Sequence, residues 1–113
     1  MTLPGSVRVA GLDLPVLLIE GLDGFGEYDG DRRAIRIRAD LSSTVAASTL
    51  LHEVLHAVAD AHGIRLGEQA VRAIEAGLVG ALRADPAGAR GWIEGLLVGA
   101  GPGLWPGADP LRS

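Results

Sequence analysis

Apolar and charged residues alternate through much of the first forty positions and recur at helical spacing afterwards, so strands are predicted to precede helices. Val7 and Val9 flank Arg8, the pattern of a short half-exposed strand, while Pro15-Val16-Leu17-Leu18-Ile19 is apolar on both faces, as a buried strand would be. Gly21, Gly24 and Gly26 mark a loop that leads into Phe25 and Tyr28. Asp29-Gly30 is a hairpin turn signal, and Ala34-Ile35-Arg36-Ile37-Arg38 then alternates strictly. The prediction is a β-hairpin flanked by Tyr28 and Arg33, with Ile35 and Ile37 facing the core and Arg36 and Arg38 facing solvent.

Ser42 or Ser43 caps a helix expected to run to about His62, where Gly63 stops it as a left-handed residue. Leu50, Leu51, Val54, Leu55 and Val58 form its apolar stripe. Residues 67–83 carry a second helical pattern, with Val71, Ile74, Leu78, Val79 and Leu82 as its core stripe, and Asp85-Pro86 ends it. Residues 87–98, with Trp92, Ile93, Leu96 and Leu97, predict a third, shorter helix that Gly88, Gly91 and Gly95 weaken. One domain over residues 1–98 is expected, then a flexible Gly/Pro-rich tail over residues 99–113, in which Trp105 is suited to docking on the domain or on a partner protein.

The length of 113 residues suits one domain with a real core, and 48% hydrophobic residues with only two Trp, one Tyr and one Phe make that core aliphatic. The net charge of −4 and the scattered arginines leave no basic patch, so no nucleic-acid partner is expected. The lack of cysteine excludes disulfides and thiolate ligands, so any zinc must take His and carboxylate. The start lacks the basic and apolar regions of a signal peptide, and no run is long enough for a bilayer; the expectation is a cytoplasmic protein with no membrane contact.

Within the first helix, Thr49-Leu50-Leu51-His52-Glu53-Val54-Leu55-His56-Ala57 contains the spacing His-Glu-x-x-His. Residues four apart share a helix face, so His52 and His56 present two imidazole nitrogens to a single ion. Glu53 is poorly placed as a ligand, but it can reach a water in an open coordination position and act as its base. A structural zinc has four closed ligands and no use for a base, so Glu53 favours catalysis. The alternative is a chance pair of histidines on an amphipathic helix.

Catalytic zinc takes three protein ligands, and three residues compete for the third place. His62 has the spacing of a longer pattern with three histidines, but Ala59 stands where that pattern has a helix-breaking Gly, and charged His62 suits the negative helix end. Glu68 and Glu75, seven apart on the second helix, share a face, and either completes a His2Glu set if that helix crosses the first. Asp60, four residues after His56, is a candidate partner for the non-ligating nitrogen of His56; the alternative is a solvent-exposed acid.

These residues, together with Gly26-Glu27-Tyr28-Asp29, Ile35-Arg36-Ile37, Gly63-Ile64-Arg65-Leu66-Gly67-Glu68 and Glu75-Ala76-Gly77-Leu78, resemble small phage-type zinc metallopeptidases, minimal zincins akin to the ImmA/IrrE group. The resemblance covers about residues 15–84. It implies an α+β fold, a small antiparallel sheet of three to four strands packed on two to three helices, with zinc as cofactor. It also implies that an acidic residue opening the second helix is the third ligand, which points to Glu68, although Gly67 replaces the usual Ser or Thr cap. In zincins, substrate lies along an edge strand; the candidate here is Ala34 to Arg38. Tyr28 is a candidate oxyanion donor or else a hairpin packing residue.

The leading expectation is therefore a zinc metallopeptidase acting on a peptide or protein substrate, with His52, His56 and Glu68 as ligands and Glu53 as base. The alternatives are a non-catalytic zincin-fold module of phage or mobile-element origin that binds a partner protein, and a metal-free structural domain.

Overall fold

The computed structural model describes residues 2–98. Strands β1 (Ser6–Val9), β2 (Leu12–Ile19), β3 (Gly26–Asp29) and β4 (Ala34–Arg38) form one sheet in the order β1-β2-β4-β3. Helices α1 (Ser43–Ala61), α2 (Glu68–Ala84) and α3 (Pro86–Leu97) follow, so the class is α+β. The chain divides within α2 into two compact units, Met1–Gly77 and Leu78–Ser113. The expected tail at residues 99–113, Trp105 included, lies outside the described residues.

β1 and β2 form a hairpin closed by Ala10 and Gly11, at φ 51° and 81°, the two positive values that a two-residue hairpin turn matched to strand twist requires. The chain then passes over the place next to β2, lays β3 beyond it and returns as β4. As a result β4 runs parallel to β2, with Val16 opposite Ile35 and Leu18 opposite Ile37, and antiparallel to β3, with Tyr28 opposite Ile35. The sheet is mixed rather than wholly antiparallel.

The same route corrects the expected edge. β4 lies between two strands, so the edge on this side of the sheet is β3, not Ala34–Arg38. The connection between them is also longer than an Asp-Gly turn. Residues 30–33 form the loop, Asp29 Oδ1 accepts the N–H groups of Asp31 and Arg32 at 3.1 Å each, and Arg33 has φ 52°.

Val9, Leu14, Ile35, Ile37, Leu50 and Ala57 make the core between the sheet and α1. Ile35 and Ile37 are wholly buried, each worth about 1.5–3 kcal/mol in apolar transfer. Gly26 permits close approach at this junction, since a Cβ there would lie 2.7 Å from Thr49 Cγ2 and 2.9 Å from the Arg36 carbonyl oxygen.

β2 is not buried on both faces: Leu17 and Leu18 are 41% and 61% exposed. On the face of Leu17, Arg36 is half-buried and pairs with Glu27 at 3.3 Å and with Asp29 at 3.8 Å. Arg38 lies over the Phe25 ring, 5.0 Å from its centroid, and bonds Asp40 at 2.7 Å. Carboxylate and aromatic partners hold both arginines against the sheet rather than in solvent.

Ser42 is the N-cap of α1, its hydroxyl accepting from the Val45 N–H at 3.3 Å, and Gly63 at φ 64° follows the C-cap His62. The buried line of α1 is Thr49, Leu50, Glu53 and Ala57, a helical spacing that runs beside the expected stripe rather than along it. Leu50 is common to both, whereas Val58 is exposed and Glu53 is inside.

α2 begins after Gly67, whose carbonyl accepts from the Val71 N–H at 3.1 Å. Of its expected core stripe, Val71 is wholly buried, while Ile74 and Leu78 are exposed. Asp85 caps α3 by accepting from the Gly88 N–H at 3.1 Å, with Pro86 in the first turn. The helix continues past its three glycines, and Trp92, Ile93, Leu96 and Leu97 remain exposed. Among the described residues, no helix is long and apolar enough to cross a membrane.

Candidate metal centre

Three side chains of α1 at intervals of four, Ser48, His52 and His56, form a row along one face. Two side chains of α2 seven apart, Glu68 and Glu75, lie about 10 Å apart along the helix axis and interleave with that row. Ser48 Oγ donates to Glu75 Oε2 at 2.7 Å, and Glu75 Oε1 lies 2.9 Å from His52 Nδ1. Glu68 Oε2 lies 3.1 Å from His52 Nε2, and Glu68 Oε1 lies 2.5 Å from His56 Nε2. The result is an alternating ladder along two helices that run in opposite directions.

His52, His56 and Glu68 each contribute one ligand atom to a group whose members all lie within 4.8 Å of one another, a group that could hold a metal ion. Two imidazoles and a carboxylate are the donors of open, three-ligand zinc sites. The contacts of His52 sharpen the match, because each of its ring nitrogens faces a carboxylate oxygen. A neutral ring carries one proton. With that proton shared with Glu75, Nε2 turns a lone pair towards Glu68, and a proton or a cation between the two relieves the repulsion. The residues could hold a metal ion.

The remaining candidates lie apart from this group. His62 is exposed at the C-cap of α1. Glu75 meets the outer nitrogen of His52 rather than the converging ligand atoms. The expected bond from His56 to Asp60 is replaced by one from the Tyr28 hydroxyl, which donates to Asp60 Oδ2 at 2.8 Å. Tyr28 is thus engaged by α1 from the edge strand. Ser48 is a further member of the row, and its only signal in the sequence is its position four residues before His52.

Glu53 stands on the buried side of α1, 7% exposed. Burial pushes its carboxyl above the usual range; His52 and His56 pull it down, Glu68 pushes it up, and the nearby backbone N–H of Tyr28 pulls it down. Partial desolvation also pushes Glu68 upward, but its hydrogen bond with His56 and the charges of both histidines outweigh this and hold it low. The two neighbouring carboxyls are thus shifted in opposite directions, Glu53 upward and Glu68 downward.

No protein-family model matches this chain, and neither a curated protein nor a solved structure is significantly similar to it.

Proposed function

We propose that this chain is a zinc-dependent metallopeptidase of the minimal zincin type, with His52, His56 and Glu68 as metal ligands and Glu53 as general base. The observation that carries this reading is the convergence of those three ligand atoms within 4.8 Å beside a buried carboxyl on the next residue of the same helix. With no cysteine available, the nitrogen and carboxylate donors suit zinc. A bound ion supplies Lewis acidity and a more acidic water.

The protein's own contribution is proton handling. Glu53, with its raised affinity for a proton, takes one from the attacking water and returns it to the leaving amine of a peptide bond. The Tyr28 N–H on β3 favours its ionised form. Glu68, held low, remains an anion.

Glu53→Gln tests the reading: the variant should keep about one zinc per chain and lose peptide cleavage by about 10²–10⁴-fold. Undiminished cleavage by this variant would sink the proposal, as would a wild-type chain without zinc.

The exposed Trp92, Leu96 and Leu97 of α3 favour a second reading, a non-catalytic zincin-fold module that binds a partner protein. Replacing Leu96 and Leu97 with Glu would abolish partner binding in that case and leave peptide hydrolysis unchanged in the first.

A further inference from the structure

We propose that Glu75 is a positioning residue: clamped by Ser48, it holds the His52 ring with its proton on Nδ1 and its Nε2 lone pair turned towards the metal position. This inference rests on the metal-binding reading above. It assigns Glu75 no place among the ligands.

The geometry has three parts. Glu75 spends both carboxylate oxygens, Oε1 on His52 Nδ1 at 2.9 Å and Oε2 on the Ser48 hydroxyl at 2.7 Å. A carboxylate bonded at two ends cannot swing into the ligand set without breaking both bonds. Ser48 and His52 are one above the other on α1, so Ser48 places Glu75 over the ring nitrogen that faces away from Glu68.

The chemistry follows from the acceptor. A carboxylate at Nδ1 needs a proton there, which selects the tautomer whose other nitrogen is free to ligate, and its negative charge makes that nitrogen a better donor to a cation. His56 is different. Among the described residues its Nε2 meets Glu68, and its Nδ1 has no hydrogen-bond partner. The two histidines of one motif are therefore unequal: His52 is the oriented ligand, whereas His56 depends on the ion and Glu68 for its orientation.

The test compares wild type with Glu75→Gln, Glu75→Ala and Ser48→Ala, using zinc itself as the probe in competition with a chelator. Long-range proton–nitrogen NMR of the histidine rings is recorded for the metal-free and zinc-loaded chains. Glu75→Ala should weaken zinc binding by about 10–100-fold, with smaller losses for Glu75→Gln and Ser48→Ala. In wild type the neutral His52 ring should carry its proton on Nδ1. Glu75→Ala should lose that preference while the His56 signals stay in place, and Glu75→Gln, whose amide oxygen still accepts from Nδ1, should retain it.

Wild-type zinc binding that Glu75→Ala leaves unchanged would overturn this inference alone. So would a loss of affinity with an unchanged His52 ring, the mark of a merely structural role. A wild-type chain that binds no zinc would overturn both this inference and the proposed function. If Glu75→Ala fails to fold, the isosteric Glu75→Gln and Ser48→Ala carry the comparison.

Discussion

α1 turns one face to the sheet and another to α2, and the two are built from opposite materials. Towards the sheet it offers Leu50 and Ala57, packed against a core that includes Ile35 and Ile37. Towards α2 it offers Ser48, His52 and His56, met by Glu75 and Glu68 at hydrogen-bond distance. The first face gains free energy by removing carbon from water; the second gains little, because polar pairs exchange one set of hydrogen bonds for another. The contrast separates what holds the fold from what could hold a metal ion. It has one exception, Glu53, a carboxyl set among the residues that face the sheet.

The largest effect should come from the apolar side. Ile37→Ala should cost about 2–5 kcal/mol, a large part of the ~5–15 kcal/mol that stabilises a domain, and the loss should be the same with and without chelator. Denaturant titration checks it. A chelator-dependent loss would break the separation between the two faces.

Next comes the polar side. Zinc at about 100 times its dissociation constant should stabilise the wild type by about 3 kcal/mol, and His56→Ala should abolish that gain while changing the metal-free melting temperature little. Paired thermal melts with zinc and with chelator measure both terms.

The exception gives the third prediction. Because burial raises the folded-state pKa of Glu53, its contribution to stability is fully present below the usual carboxylate range and is lost as pH rises through the raised value. Metal-free Glu53→Gln should therefore melt higher than wild type near neutral pH, with the difference closing in acid. Glu68 has the opposite sign: its lowered pKa contributes stability above the usual carboxylate range, lost as pH falls, and solvent screening keeps the effect small. A melt series across pH for the wild type, Glu53→Gln and Glu68→Gln separates the two.

The smallest effect belongs to the link between β3 and α1. Tyr28→Phe should cost about 1 kcal/mol or less, since the hydroxyl's partner Asp60 is exposed. Burial, then the bond to Asp60 and its charge, raise the phenol pKa, so ultraviolet titration should show this single tyrosine ionising above its ordinary value. Asp60→Asn should shift it back.

What could be read from the sequence was local. Ser42 and Gly63 bound α1 by their own backbone chemistry, and the four-residue step from His52 to His56 makes them neighbours on any helix. The grouping of Glu68 with them needed the resemblance, because helical spacing alone left Glu68 and Glu75 equivalent. What was not legible depends on partners distant in sequence. Nothing within Pro15-Val16-Leu17-Leu18-Ile19 records that β4 will lie parallel beside it, or that Leu18 will remain exposed. Asp60 has no signal for Tyr28, thirty-two positions away, and Glu75 has none for the one nitrogen of His52 that it meets.

β3 is an edge strand, and the Tyr28 N–H is an edge donor of the kind that recruits a strand from another molecule. Here the Glu53 carboxyl lies near it. The proposed catalytic base thus also stands over a donor that strand-to-strand self-association would use. Variants that shorten it, Glu53→Ala above all, uncover a pairing site and should raise the tendency to aggregate, whatever they do to peptide cleavage.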